Sequence, residues 1–302
     1  MSNENELEHR TGLRRFITRF KLAKILAFSI PLFALLVVWQ LMTQSIGHEL
    51  PLAARPLWSV TTRLLYVVVM LWLYSFLVRY FERRPISELA PRHAASRVAG
   101  GVGLGFVLFS SVLACLYLGG YVHQVQFNGF ADLAMLASAS LAGAVGEELL
   151  FRGAIFRITE EWLGTTGALI ISAALFGAAH GLNPNANLIG VIAIALEAGV
   201  LLGVAYSASR SLWLPIGMHF GWNFTEGGIF GTTVSGGGQS RGVVSVTLEG
   251  PAQWTGGAFG PEASIVAIAV CLVAATILGI YSVRRGRWQP WRRSAETLPA
   301  AP

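Results

Sequence analysis

Apolar residues gather in runs of about 20, separated by short polar stretches, and about 20 is the length a helix needs to cross the hydrocarbon core of a bilayer. Eight such runs are legible, over 22–44, 57–79, 98–120, 132–161, 166–182, 186–207, 211–229 and 262–283. Because backbone polar groups in lipid must be satisfied within the segment, they predict an all-α polytopic membrane protein with about eight transmembrane helices. The chain has no internal repeat and reads as a single membrane domain over 1–302. The first run starts near Leu22 and lacks a small-residue cleavage site, so it reads as an anchor, not a removable signal peptide.

Composition agrees. Hydrophobic residues make up 54% of the chain and charged residues 13%, with a mean hydropathy of +0.57, whereas soluble domains carry about 25% charge. The net charge of +6 would suit nucleic acid if the basic residues were pooled on one surface. Instead they sit in short clusters between apolar runs, the pattern of topology signals, so the expected partner is the lipid bilayer and no nucleic acid. Arg10, Arg14, Arg15, Arg19, Lys21 and Lys24 precede or open the first run. Arg79, Arg83, Arg84, Arg92 and Arg97 fill the second loop, Arg210 follows the sixth run, and Arg284, Arg285, Arg287, Arg292 and Arg293 form the tail. The opposite side holds Arg55 and Arg241. This asymmetry predicts both termini in the cytoplasm, and the inner membrane as the location in a prokaryote. Cys115 and Cys271 each lie within an apolar run and imply no disulfide.

Two polar stretches interrupt the pattern. Residues 79–97 predict an amphipathic segment on the cytoplasmic face, with Ile86 and Leu89 at the interface and arginines on the headgroups. Residues 227–261 predict a Gly-rich outer loop, with Phe230, Trp254 and Phe259 packed partly at the interface.

Inside the apolar runs stand residues that lipid disfavours, and each such group is a functional hypothesis. Glu147 and Glu148 lie within the fourth run, and Arg152 shares a helix face with Glu148. A turn near 163–165 puts Glu147 about 16 residues before it and His180 about 16 after, both about 24 Å deep at 1.5 Å per residue. An antiparallel hairpin therefore brings them level. The turn near 209–211 gives His219, Asn223 and Glu197 depths of about 9, 13 and 13 residues, and His219 and Asn223 share one helix face. Five polar groups from four runs thus fall in one slab of the membrane.

These residues also form three ordered motifs. Glu147-Glu148-Leu-Leu-Phe-Arg152 fits EExxxR, Phe176-Gly-Ala-Ala-His180 fits FxxxH, and His219-Phe-Gly-Trp-Asn223 fits HxxxN. In this order on separate apolar helices they resemble the CPBP family, which groups CAAX prenyl endopeptidases with bacteriocin-processing and self-immunity membrane proteins. The resemblance covers a core of about 130–230, flanked by N-terminal helices over 22–120 and a C-terminal helix over 262–283. It implies an intramembrane endopeptidase acting on a membrane-associated, in some members lipidated, peptide or protein. Carried over, Glu147 is similar to the general base and His180 to its partner on the attacking water, with His219 and Asn223 lining the oxyanion site. Glu148, Arg152 and Phe176 would support the site, and Glu197 is a further candidate whose role the resemblance leaves open.

The chemistry agrees with that reading. Peptide hydrolysis needs a base for water, donors for the oxyanion and a proton for the leaving amine, and carboxylate, imidazole and amide supply them. No cofactor is expected. A zinc protease competes, since two histidines and a glutamate could leave one metal position open, although no HExxH helix is present. A non-catalytic scaffold or self-immunity protein and a proton-coupled transporter compete as well, the latter without the internal symmetry such folds carry.

Overall fold

The computed structural model describes residues 17 and 19–291. Arg10, Arg14, Arg15, Arg292 and Arg293, part of the topology argument, lie outside the described residues. The elements are helices α1 (Lys21–Glu49), α2 (Arg55–Leu77), α3 (Ala94–Leu118), α4 (Leu133–Glu148), α5 (Arg157–His180), α6 (Leu188–Ile194), α7 (Val200–Ser209), α8 (Trp213–Asn223) and α9 (Ile265–Arg284), with two short strands, β1 (Val122–Phe127) and β2 (Val244–Leu248). The chain is an all-α polytopic membrane protein.

Among the described residues, six helices are long and apolar enough to cross a membrane, against the eight apolar runs of the sequence. The difference has two physical sources. Leu133–His180 is continuous in hydrogen bonding but breaks direction at Gly164, whose φ of 68° and ψ of 179° are open to glycine. The run at 211–229 is a short helix, α8, that continues as the π-helical turn Phe224–Ile229.

The helices present apolar faces outward and their polar or aromatic faces inward. On α2 the buried residues Thr62, Tyr66, Met70 and Tyr74 recur every four positions, while Leu64, Leu65, Val68 and Trp72 are exposed. A helix in water would reverse that order; here the outer face meets lipid. Pi-helical stretches extend or join four of the helices, at Val78–Glu82, Leu149–Phe156, Ala195–Gly199 and Phe224–Ile229. Three of them adjoin the polar residues of the membrane interior, a setting in which such irregular turns are common.

The closest helix pair is α3 with α8. Gly101 and Gly105 on α3 face Gly217 and Gly221 on α8, so both helices carry G-x-x-x-G at the crossing. A Cβ on Gly105 would stand 2.3 Å from the Met218 carbonyl oxygen, and one on Gly221 would stand 2.4 Å from that of Val102. Backbone-to-backbone packing of this kind holds helices together where lipid offers no hydrophobic drive.

At one end of the bundle the charged residues knit together. Lys24 and Arg157 both pair with Glu82, at 2.6 Å and 2.9 Å; Arg84 and the Tyr74 hydroxyl bond Glu88; and Arg210 pairs with Glu160. The stretch 79–97 accordingly differs from the amphipathic expectation. Ile86 and Leu89 pack against the core instead of lying at the interface, because Glu88 is buried and draws the segment inward. At the other end, the Gly-rich loop is more ordered than its composition suggests. Its β2 pairs antiparallel with β1, Trp254 stacks on Tyr121, and Phe259 is fully buried.

Candidate active site

Two adjacent acids divide the work on α4. Glu148 is fully buried and accepts a hydrogen bond from Arg152 Nη1 at 2.8 Å; Arg152 is equally buried. The turn between them is the start of a π-helical stretch. Arg152 Nη2 donates to the carbonyls of Ala198 and Gly199, at 2.9 Å and 3.1 Å, in the irregular turn that follows α6. Its guanidinium also lies 4.5 Å from the Phe176 ring centroid. Complete burial excludes snorkelling of Arg152 from a helix end to the interface.

His219 connects the two acids. Its Nδ1 is 3.1 Å from Glu148 Oε1, and its Nε2 is 3.9 Å from Glu147 Oε2. His180 approaches the same oxygen from α5, Nε2 to Glu147 Oε2 at 3.8 Å. Its Nδ1 lies 2.8 Å from the backbone carbonyl of Phe176, which can only accept, so Nδ1 carries the proton and Nε2 faces Glu147. The Phe176 ring packs against His180 with centroids 4.6 Å apart. Separations of 3.8 Å and 3.9 Å are too long for direct hydrogen bonds, and a water that joins the groups has to sit to one side of them, not between them.

Two spaces adjoin this cluster. On one side is a cavity of about 30 Å³, room for roughly one water, lined by Phe176, His180, Glu197, His219 and Asn223. The Asn223 amide has no protein partner among the described residues. On the other side is a cleft of about 280 Å³ between α1, α2 and α4 that has Glu147 in its wall. Glu147 Oε2 is buried without a hydrogen-bond partner, yet the side chain is 25% exposed. The side chain therefore opens on the cleft, while its buried Oε2 faces the two histidines that line the cavity.

The sequence-predicted residues are thus brought together, Glu197 included, although Glu197 faces a neighbourhood that sequence reading missed. Its Oε2 accepts from Cys271 at 3.6 Å. Glu262 lines the same cavity, holding Trp222 Nε1 at 2.8 Å and the Ser235 backbone N–H at 2.6 Å, and Glu226 is buried with both oxygens unpartnered. Glu226 and Glu262 escaped notice because each sits at the edge of an apolar run, where a charge is unremarked. Tyr66 was also missed: it is buried, its hydroxyl lacks a partner, and it presses on Gly146 beside Glu147. Nothing in its own run distinguishes it from a packing tyrosine. Among the described residues, no group of three or more His, Cys, Asp or Glu stands in metal-holding geometry.

No curated protein and no solved structure matches the chain. Residues 129–225 match the family described as type II CAAX prenyl endopeptidase Rce1-like. That segment contains both acids of α4, the arginine, both histidines and Asn223. The match covers about a third of the chain and supports the CPBP resemblance of the motifs; the matched family is one of proteases.

Proposed function

We propose that this protein is an intramembrane endopeptidase that hydrolyses a peptide bond of a membrane-associated peptide or protein with a water activated by Glu147. The observation that carries the reading is the convergence of His180 Nε2 and His219 Nε2 on one buried, unpartnered oxygen, Glu147 Oε2. A water set beside these groups donates one hydrogen to the carboxylate and the other to the Nε2 lone pair of His180, and the water's own lone pair then faces the substrate carbonyl.

Glu147 takes a proton from that water as its oxygen bonds to the acyl carbon. The negative charge moves to the carbonyl oxygen, where the Asn223 amide and His219 donate to it. Collapse breaks the C–N bond, and Glu147 passes the proton to the leaving nitrogen. His219 donates through Nε2 as an imidazolium, and charge balance favours this form. Two carboxylates, Glu147 and Glu148, then face two cations, Arg152 and His219, in a nearly dry setting. Arg152 and Glu148 act by holding His219. The mechanism uses no metal.

The test is a comparison of membrane peptides from cells carrying the wild-type chain or Glu147→Gln. The expected result is an uncut precursor that accumulates with the variant. An identical peptide profile, under conditions where loss of the wild type has a phenotype, would overturn the assignment.

A further inference from the structure

Three buried carboxyl groups stand together beside the candidate site, and no cation answers them. Glu197, Glu226 and Glu262 are at most 2% exposed, and none pairs with a Lys, Arg or His among the described residues. They come from three segments: Glu197 from the π-helical turn Ala195–Gly199, Glu226 from that of Phe224–Ile229, and Glu262 from the turn Pro261–Ala263 before α9. They are neighbours, since the charge of Glu262 reaches both others and all three reach the Cys271 thiol on α9. The buried cations of the site, Arg152 and His219, are committed to Glu148 and Glu147.

The three acids differ in the donors they receive. Glu262 accepts from Trp222 Nε1 at 2.8 Å, the Ser235 backbone N–H at 2.6 Å and Ser235 Oγ at 2.7 Å, a set that suits a carboxylate. Glu226 receives no donor on either oxygen among the described residues. Glu197 receives only the weak thiol donor of Cys271, on Oε2, and its Oε1 is buried without a partner. Its side chain lines the 30 Å³ cavity together with Glu262, His180, His219 and Asn223. A buried carboxylate with neither donors nor a counter-ion is too costly to keep its charge, and such a group holds a proton instead. A neutral carboxyl is also a donor. Glu226 then donates to Glu262, which it faces, and Glu197 donates into the cavity, where a water accepts.

We propose that Glu197, Glu226 and Glu262 form a buried proton-binding site, with Glu197 and Glu226 neutral and Glu262 ionised, whose single anion clasps the Gly-rich loop to α8 and so positions Asn223. Glu262 joins Trp222, the residue before Asn223, to Ser235 of the loop. Two residues on, Ser264 caps α9 by accepting from the Ala267 N–H at 3.0 Å. One carboxylate thus ties α8, the loop and the start of α9 together. The protons on Glu226 and Glu197 keep the charge at one, because a second anion beside Glu262 would repel it in a low-dielectric interior and loosen the clasp. Glu262 is a positioning residue, and that role rests on the endopeptidase reading, in which Asn223 donates to the oxyanion. The distribution of protons is independent of it.

The full-length protein in lipid nanodiscs tests the proposal, and two of the measurements need no turnover. A neutral carboxyl group has a carbonyl stretch distinct from that of a carboxylate, so infrared spectra at pH 7 report the neutral acids. Glu226→Gln and Glu197→Gln are each expected to remove intensity from that band, and Glu262→Gln to remove none. Full intensity in Glu226→Gln or in Glu197→Gln overturns the proton assignment. A metal ion is the rival occupant: stabilisation of wild type by sodium or calcium over choline at equal ionic strength, absent in Glu226→Gln, would overturn it as well. The clasp is read by trypsin at exposed Arg241 in the loop, through the fragment that begins at Gly242. Glu262→Gln is expected to release that fragment about tenfold faster than wild type, the effect of losing hydrogen bonds to a charged group on local opening. Ser235→Ala, which leaves every carboxyl in place, should give a smaller change of the same sign, and keeps the test alive if Glu262→Gln does not fold. Wild-type rates in the variants overturn the clasp. On the substrate identified from the Glu147→Gln precursor, Glu262→Gln should lower kcat by about 10²-fold with little change in KM; an unchanged kcat overturns the positioning of Asn223. If the infrared and trypsin results hold while the peptide profiles above are identical, the endopeptidase reading fails and the proton-binding clasp stands.

Discussion

The backbone carbonyl of Phe176 accepts a hydrogen bond from Nδ1 of His180 at 2.8 Å, and this bond decides which nitrogen faces Glu147. A helix residue usually gives its carbonyl to the chain four positions on; here the side chain at that position shares it. The F-x-x-x-H spacing is therefore a geometric requirement. Phe176 supplies the tautomer through its carbonyl and the orientation through its ring.

Substitution at His180 should separate these roles. His180→Gln keeps a hydrogen-bonding side chain without a basic lone pair and is expected to lower kcat by about 10²–10⁴-fold, the range of a lost acid–base partner, with little change in KM. Phe176→Leu leaves the carbonyl and removes the ring, and is expected to cost less. Steady-state kinetics on the substrate identified from the Glu147→Gln precursor measures both. Equal losses for the two variants would contradict the division.

Breaking the Glu148–Arg152 pair should destabilise the protein as well as inactivate it. Both side chains are fully buried, and removing one partner of a buried ion pair costs about 3–5 kcal/mol because the other charge is stranded. Arg152→Met is expected to unfold at markedly lower denaturant than wild type in detergent micelles. The double variant Glu148→Gln/Arg152→Met should recover much of that stability and none of the activity.

The α3–α8 crossing predicts that a methyl group far from the chemistry is harmful. Gly105→Ala places its Cβ against the Met218 carbonyl and should push α8, with His219 and Asn223, away from Glu147. A displacement of about 1 Å in an active site costs on the order of 10²-fold in rate. Gly103→Ala, on the same helix with open space at its Cβ, should be silent. Activity that is equal in the two variants would show that the crossing does not position α8.

At the charged end, Glu88 sets a pH limit on stability. Burial pushes its carboxyl up, but the Arg84 hydrogen bonds, the Arg157 charge and the Tyr74 hydroxyl outweigh that and hold it at about 2, against 4.5 for a free glutamate. A lowered folded-state value favours the fold above the unfolded value, so the contribution is complete above about pH 4.5 and is lost as pH falls toward 2. Its size is about 3 kcal/mol by linkage. Thermal unfolding of wild type at pH 7 and pH 3 should therefore differ by more than that of Glu88→Gln. Equal pH sensitivity in the two proteins would refute the assignment.

The proposed hydrolysis without a metal predicts that activity survives dialysis against EDTA and phenanthroline. Loss on chelation with recovery on added zinc would convert Glu147, His180 and His219 from base and donors into ligands.

The sequence by itself determined that this chain lives in a membrane, because runs of about 20 apolar residues have no other stable setting. It also determined which polar residues to watch. Glu147, Glu148, His180, His219 and Asn223 declared themselves by standing where lipid penalises them, and the 3.6-residue period put His219 and Asn223 on one face. The hairpin depths that brought Glu147 level with His180 needed only the helix rise.

Tertiary structure decided what depth along an axis cannot. Whether two groups at one level face each other depends on helix rotation and crossing. Those are set by contacts between distant segments, such as Gly105 against Met218 and Arg152 against the Ala198 carbonyl. The same cause hid Tyr66 and Glu262, whose contacts exist only once α2 and the loop before α9 are laid beside the helices of the candidate site. It also hid the β1–β2 ribbon, since strands separated by more than a hundred residues pair through a register that no local pattern encodes.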